Sequence, residues 1–277
     1  MREIYLIFLI ALLSNQFASA EIIKPTGEAI LEVTYTKTMS RDTVGNNFVV
    51  SSPMTLRIGE KGAMFYPTMA MENDSLNYYN RELAVQVVVD ALMKGEAVTA
   101  VLGHEHEYLF RNINENETMV YQAVGAEKQY YIEETEMPVW KIGTNHKDIL
   151  GYECVEASCN YRGRAWHVWF TPEIPVHEGP WKLFGLPGLI LEARDKGEHY
   201  KFEATEIRQN GLGQIGIFIY DRGSAEKRES RKDYLVWLYR QRIKGNFLKS
   251  MSAVTGRNMG VIKDRQYDFE ETDYPHE

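Results

Sequence analysis

The chain has 277 residues, of which 25% are charged and 44% hydrophobic, and this is the composition of an ordinary globular protein. Its formal net charge of −8 argues against nucleic acid or an anionic membrane as the main partner, because both require a basic surface. Aromatic residues make up 12% of the chain, and seventeen of its residues are tyrosines. Abundant Tyr, Val and Thr favour β structure.

The N-terminus has the three parts of a secretory signal peptide. A basic start at Arg2 is followed by an apolar run from Ile4 to Leu13 and by an A-x-A ending at Ala20. We therefore expect residues 1–20 to be removed and the mature chain to be exported. Every apolar run is shorter than the roughly 20 residues that span a bilayer, so no transmembrane segment is expected in the mature chain.

Apolar and polar residues alternate along much of the chain, and this pattern predicts β-strands. Leu31, Val33 and Tyr35, for example, share one face of a predicted strand. Turn-forming residues between such stretches, as at Gly59–Gly62, predict hairpins. The fold class is therefore mainly β with helices (α+β), built as an antiparallel meander. The predicted strands are 30–37, 54–58, 63–66, 107–113, 118–124, 129–134, 152–158, 165–171, 189–195 and 198–207.

A first helix is predicted over residues 80–95. Asn80 is a suitable N-cap, and Gly95 is a suitable residue just beyond the C-terminal end. The valines at 87–89 are also compatible with a strand, because β-branched side chains favour extended backbone.

A second helix is predicted from Ser224, as its N-cap, to about Met251. Residues 226–249 contain eight basic side chains and three acidic ones. This basic helix is either a solvated face, a docking face for an acidic partner or membrane, or a cover for the acidic tail. Its apolar stripe is predicted to contain Val236, Tyr239, Ile243, Phe247 and Met251.

The sequence has no internal repeat and no low-complexity linker. We therefore predict a single β-rich domain over residues 21–256, followed by an acidic, loosely held tail at 257–277.

Cys154 and Cys159 are five residues apart. On one strand they would lie about 16 Å from each other, whereas a disulfide needs Cα atoms within about 7 Å. Two buried thiols are therefore predicted, although a hairpin at Glu156-Ala157 would allow a bridge.

Residues Thr171–Pro187 contain four prolines, three of them before Trp181, and are predicted to form a stiff linker between two strands. Pro187 and Gly188 fit the two central positions of a type II turn, with Gly188 at positive φ, and Gly185 adds freedom just before it. The apolar residues of this segment either pack a flap over one end of the sheet or form the wall of a groove for an apolar ligand. The candidate ligand-binding residues are Trp181, Phe184, Leu186 and Leu189.

Residues Gly185–Ile190 match the six-letter signature of the GLPGLI family, exported proteins of unknown function found largely in Bacteroidota. The segments around Tyr152 and from Tyr161 to Ala193 follow the order of that family, so the resemblance covers about 130–207. It implies a protein of the periplasm or of the periplasmic face of the outer membrane, and it supplies no catalytic residues. The β-rich pattern also resembles the lipoprotein-carrier half-barrel of the LolA type. That resemblance implies a curved antiparallel sheet or half-barrel with one or two packed helices.

Few residues are arranged for chemistry. His104 and His106 would share a face if they lay on a strand and could then hold a metal with a third, distant ligand, or they could lie in a solvated turn after Gly103. The sequence has no G-x-S-x-G elbow and no glycine-rich phosphate loop. We expect no catalytic residue and no cofactor.

Three functions are consistent with these features. The first is a non-enzymatic periplasmic binding or carrier protein for an apolar ligand or a protein partner. The second is an accessory protein of an outer-membrane machine, and the third is an envelope hydrolase or metalloenzyme. The sequence does not define the oligomeric state.

Overall fold

The computed structural model describes residues 23–43, 46–97, 99–103, 105–124, 127–218, 226–243 and 269–274, so the predicted signal peptide lies outside the described residues. The helices are α1 (Thr68–Tyr79), α2 (Arg81–Met93), α3 (Thr99–Leu102) and α4 (Arg231–Ile243). The strands are β1 (Ile23–Glu28), β2 (Leu31–Thr43), β3 (Asn46–Ile58), β4 (Gly62–Pro67), β5 (Glu107–Asn112), β6 (Glu117–Val124), β7 (Glu127–Glu134), β8 (Lys141–Ile149), β9 (Tyr152–Tyr161), β10 (Arg164–Thr171), β11 (Leu189–Asp195), β12 (Tyr200–Arg208), β13 (Gln214–Phe218) and β14 (Glu226–Arg228).

Twelve strands form one sheet in the order β14-β7-β6-β5-β4-β3-β2-β12-β11-β10-β9-β8. It consists of two antiparallel meanders, β2 to β7 and β8 to β12, which are joined where β12 pairs with β2. Strand β14 pairs in parallel with β7, and β1 and β13 form a separate antiparallel pair. The predicted mainly antiparallel β fold with helices is confirmed.

The sheet is strongly curved. Strands β7 and β9 are nine places apart in the strand order, which in a flat sheet would separate them by about 43 Å. The side chain of Arg162, in the turn after β9, nevertheless lies 3.0 Å from the carboxylate of Glu133 on β7. Because only curvature can bring these ends together, the predicted curved sheet is confirmed. Its described end strands, β14 and β8, are not hydrogen-bonded to each other.

The main hydrophobic core lies on the concave face. Phe65 on β4 is 6.0 Å from Phe202 on β12 between ring centroids, although two other strands lie between these strands. Residues of β4 alternate between two clusters, since Phe65 joins the main core whereas Met64 joins a smaller cluster on the opposite face. Both faces of this part of the sheet are therefore covered.

Helix α2 is confirmed as a helix with the predicted cap. The side chain of Asn80 accepts a hydrogen bond of 3.0 Å from the backbone of Leu83, and Gly95 follows the helix with a φ of 75°. Helix α1 was not predicted, because its asparagines and Asp74 do not favour a helix interior. Asp74 instead accepts a buried 2.7 Å hydrogen bond from the Tyr108 hydroxyl, so tertiary contacts compensate for the weak local preference.

The predicted start of the basic helix at Ser224 is wrong, because residues 226–228 are paired with β7 and the helix begins at Arg231. Ser230 is the N-cap, since its hydroxyl accepts a 3.1 Å hydrogen bond from the backbone of Asp233. The buried face of α4 includes Val236, as predicted, together with Tyr234 and Leu238. Tyr239, also predicted for this stripe, packs against the main core, whereas the side chain of Ile243 and residues 247 and 251 lie outside what the structure describes.

The C-terminal tail is not loosely held over residues 269–274. Phe269, Glu271 and Tyr274 are buried, so the prediction of a loose tail is wrong for this segment. Residues 257–268 and 275–277 lie outside the described residues.

Cys154 and Cys159 are both free and buried, which confirms two buried thiols. Burial raises the pKa of the Cys154 thiol to about 11 and that of Cys159 to about 12. Within the described ranges, no helix has the length and apolar character needed to cross a bilayer.

Candidate binding site

The segment between β10 and β11, residues 172–188, is here called the flap. Its turn is tighter than predicted: the backbone N–H of Gly188 donates to the carbonyl of Leu186 at 2.8 Å, which closes a three-residue turn around Pro187. Gly188 is not at positive φ, so the type II turn is wrong, whereas Gly185 has a φ of 93°. A Cβ on Gly188 would overlap the backbone of Thr171, so glycine is needed there for close approach of two chain segments.

Backbone hydrogen bonds fix the flap against its surroundings. The N–H of Gly185 donates to the backbone carbonyl of His177 at 2.9 Å, and that of Ile190 donates to the backbone carbonyl of Glu178 at 2.9 Å. The indole of Trp140 donates to the carbonyl of Phe184 at 2.8 Å. The flap is therefore an ordered part of the fold.

Three of the candidate apolar-ligand residues, Trp181, Phe184 and Leu186, belong to the flap, and Leu189 follows it directly. Trp181, Leu186 and Leu189 are buried in the main core, and the Trp181 ring lies 5.5 Å from that of Trp166. Phe184 is partly buried beneath the guanidinium of Arg111, which is 3.8 Å from its ring centroid. The buried residues fill the space that an apolar ligand would take, so binding of such a ligand by them stays a prediction that requires the flap to move.

The histidine pair is only partly described. His104 lies outside the described residues, and His106 belongs to no group of three His, Cys, Asp or Glu side chains that could hold a metal in the described part of the chain. Glu105, between them, is buried and pairs with Lys37 at 3.1 Å.

A different set of residues forms a polar site on the concave face. Residues 269–274, with the sequence FEETDY, lie there outside any helix or strand, and we call this segment the strap. Arg164 donates to the carbonyls of Phe269 at 2.9 Å and Glu270 at 3.1 Å. The backbone N–H of Thr272 donates to the carbonyl of Arg162 at 3.0 Å, so the strap is held through its main chain as well as its side chains.

Each acidic side chain of the strap has a basic partner. Glu270 pairs with Lys37, and Asp273 pairs with Arg231. Glu271 accepts a 2.6 Å hydrogen bond from Lys182 and a 2.7 Å hydrogen bond from Arg231. Lys37, Arg164, Lys182 and Arg231 thus surround the strap, and we call them the basic cleft. Three of them also pair with carboxylates outside the strap, those of Glu105, Asp195 and Glu133.

Lys182 is the centre of this cleft. Its ammonium donates at 2.6 Å to Glu271, to Glu133 and to the hydroxyl of Tyr131, and only 3% of the side chain is exposed. Burial alone lowers the pKa of Lys182, but the charges of Glu271 and Glu133 outweigh it and raise the pKa. Burial likewise raises the pKa of Glu271, but the charges of Lys182 and Arg231 lower it overall. Both groups therefore remain charged near neutral pH.

The basic cleft was not predicted, because its four cations come from β2, β10, the flap and α4, which are far apart in the sequence. One signal was available on β2, where Lys37 follows Val33 and Tyr35 at alternate positions and therefore falls on the buried face. A lysine on a buried face must have an anionic or polar partner, since an unpaired buried charge is costly. The suggestion that the basic helix covers the acidic tail is confirmed for Arg231.

Residues 162–192 match the model of one protein family. That family is described as "Protein of unknown function (Porph_ging)". The matched range contains the flap together with Arg164 and Lys182 of the basic cleft. No curated protein matches this chain.

Among solved structures, the chain is similar to PNGF-II in two space groups, at 16% identity over 76% of this chain, with TM-scores of 0.51 and 0.50. The chain spans about a third of the length of those proteins, 34% and 33% respectively, and the likeness concerns the fold alone. A domain from Vibrio parahaemolyticus that is named for outer membrane lipoprotein sorting is similar at 7% identity over 66% of this chain and 86% of that domain. Its TM-score of 0.21 carries no argument, so the resemblance to lipoprotein carriers stays a prediction.

Proposed function

We propose that the protein is a non-enzymatic exported protein of the bacterial envelope that binds an extended acidic segment of a protein partner on its concave face. Export is supported by the signal-peptide pattern of residues 1–20. The envelope is supported by the GLPGLI signature at 185–190, which falls within the range that matches the family of unknown function.

The observation that carries this proposal is the occupancy of the basic cleft. An acidic hexapeptide is held there by four cations from four separate elements, and it makes main-chain contacts to Arg162 and Arg164. Proteins that bind peptides often use hydrogen bonds to the peptide main chain for affinity and complementary charges for selectivity. The strap acts here as an intramolecular ligand, and a partner segment of the same chemistry would take its place.

A role in binding, rather than in proton transfer, is supported by the charges in the cleft. A general acid or base works best when its pKa lies near the ambient pH. The pKa of Lys182 is raised and that of Glu271 is lowered, so both move away from neutrality. These groups therefore supply fixed charges for recognition.

The proposal is tested by loosening the strap without leaving a cation of the cleft unpaired. In the variant Glu270→Gln with Asp273→Asn, Lys37 keeps Glu105 and Arg231 keeps Glu271. A fluorescent peptide FEETDY should bind this variant at least tenfold more tightly than it binds the wild type. Because the contacts are ionic, binding should weaken as salt is added. The matched control is the neutral peptide FQQTNY, which should not bind.

The partner itself is tested with protein purified gently from its own host. Native mass spectrometry should show a bound polypeptide whose occupancy rises in the strap-loosened variant. If that variant is folded by circular dichroism but binds neither the peptide nor a host polypeptide, the strap is only structural and the proposal is wrong.

A further inference from the structure

Helix α2 leaves an unusual apolar surface on the outside of the molecule. It packs on α1, and its buried residues are Ala84 and Ala91. Val85, Val89 and Leu92 are 54%, 43% and 55% exposed. Their spacing of four and three residues places them on one face of the helix, roughly 120° around the axis from the two alanines.

The exposed surface extends beyond this stripe. Met93, beside the stripe, and Leu83, on another face of the helix, are also exposed, as are the aromatic side chains of Tyr78 and Tyr79 where α1 ends. Soluble monomers rarely expose a contiguous apolar patch of this kind unless it is a contact surface. The backbone of α2 is satisfied within the helix, so nothing in its own hydrogen bonding requires this face to be covered.

The polar residues around the patch indicate a lipid surface as the occupant. Arg81 and Lys94 flank the apolar residues at the two ends of α2, where long basic side chains can extend towards headgroups. Tyr78 and Tyr79 lie beside the start of the helix, and tyrosine is enriched at membrane interfaces. Between residues 83 and 93 only Asp90 is charged.

The local charge indicates which lipids would be bound. Residues 78–96 carry two basic side chains, Arg81 and Lys94, and three acidic ones, Glu82, Asp90 and Glu96, a difference of −1. Such a segment has no net electrostatic attraction to anionic headgroups. Its binding would therefore come from apolar burial and would favour a zwitterionic surface.

We propose that α1 and α2 form a membrane-docking hairpin, with Val85, Val89 and Leu92 inserted at the interface of a zwitterionic lipid surface. Helix α2 belongs to the α1 side of the structure, whereas the strap contacts β2, β10, the flap and α4. The hairpin would thus hold the protein at a membrane without engaging the basic cleft. This inference does not depend on the proposed binding of an acidic partner.

The test is flotation of the exported chain with phosphatidylcholine vesicles. The wild type should float with the vesicles, and 0.5 M salt should not release it, because apolar insertion is not screened. The variant Val85→Gln/Val89→Gln/Leu92→Gln should lose at least tenfold of the bound fraction. A Met93→Trp reporter should show a blue-shifted emission when vesicles are added.

The matched control is Val49→Gln/Val139→Gln/Ile142→Gln, which changes three apolar residues away from α2 that are 50% exposed or more. This variant should float like the wild type. Failure of the wild type to float, or equal flotation of the two triple variants, would overturn the proposal. A dimer of the wild type in size-exclusion chromatography that the α2 variant abolishes would also overturn it, because the occupant would then be a second copy of the chain.

Discussion

The flap and helix α2 are both rich in apolar residues, yet most of those in the flap are buried and most of those on α2 are exposed. In the flap, Leu183 and Leu186 are at most 1% exposed, whereas on α2 Val85 and Leu92 are more than half exposed. The flap is irregular, and its N–H and carbonyl groups are bonded to other parts of the loop and to Trp140. The helix satisfies its own backbone and is anchored by two alanines.

This difference shows how backbone hydrogen bonding decides whether apolar side chains are buried or exposed. An irregular segment must find partners for its polar groups, and the neighbours that satisfy them also bury its side chains. A helix can leave one face open without leaving a backbone group unsatisfied. Apolar residues in the flap therefore indicate stability, and those on α2 indicate a contact surface.

The largest effect on stability is expected on the flap side, from Lys182→Met. This change leaves Glu133 and Glu271 buried next to an apolar side chain, and breaking a buried pair in this way costs about 4 kcal/mol. Urea unfolding followed by circular dichroism would measure it. Adding Glu271→Gln should recover part of the loss, and a double variant no more stable than Lys182→Met would show that the pairing is unimportant.

A smaller loss is expected from Gly188→Ala, also in the flap. The new methyl group would overlap the backbone of Thr171, and overpacking of this kind costs about 3 kcal/mol. The matched control is Gly95→Ala after α2, where the added Cβ meets no atom within 4 Å and only the positive φ is unfavourable, at about 1 kcal/mol. Equal losses at the two glycines, measured by thermal unfolding, would contradict this difference between the regions.

The stability that comes from the pairing of the flap with the strap should also depend on pH. The folded-state pKa of Glu271 lies below its ordinary value of 4.5, so its stabilisation is present above that value and is lost as the pH falls through the folded-state pKa. The difference in unfolding free energy between the wild type and Glu271→Gln should therefore shrink from pH 6 towards pH 3. A constant difference over that range would mean that the carboxylate charge does not stabilise the fold.

The smallest effect is expected on the helix side, from Val89→Gln. The side chain is exposed, so the free energy of unfolding should change by less than about 0.5 kcal/mol. A melting temperature lowered by more than a few degrees would show that this face is packed in solution, and it would remove the basis for the docking surface.

The sequence by itself determined the elements whose signals are local. Ten of the fourteen described strands followed from alternation, whereas β1, β8, β13 and β14 were not predicted. Helix α2 followed from its cap at Asn80 and its stop at Gly95, and the free thiols from the spacing of the cysteines. Each of these signals can be recognised in a stretch of a few residues, because it depends only on backbone geometry and on neighbours along the chain.

Only the tertiary structure decided the rest. The curvature that brings Arg162 to Glu133 depends on pairings between strands far apart in sequence, as does the meeting of Lys182 with Glu271 across 89 residues. The start of α4 was mistaken because residues 226–228 pair with β7, which no local pattern reports. The strap looked like a loose acidic tail because its stability comes from cations on four distant elements. Long-range ion pairs and strand pairings leave almost no trace in local sequence, and for that reason the cleft could be seen only in the folded chain.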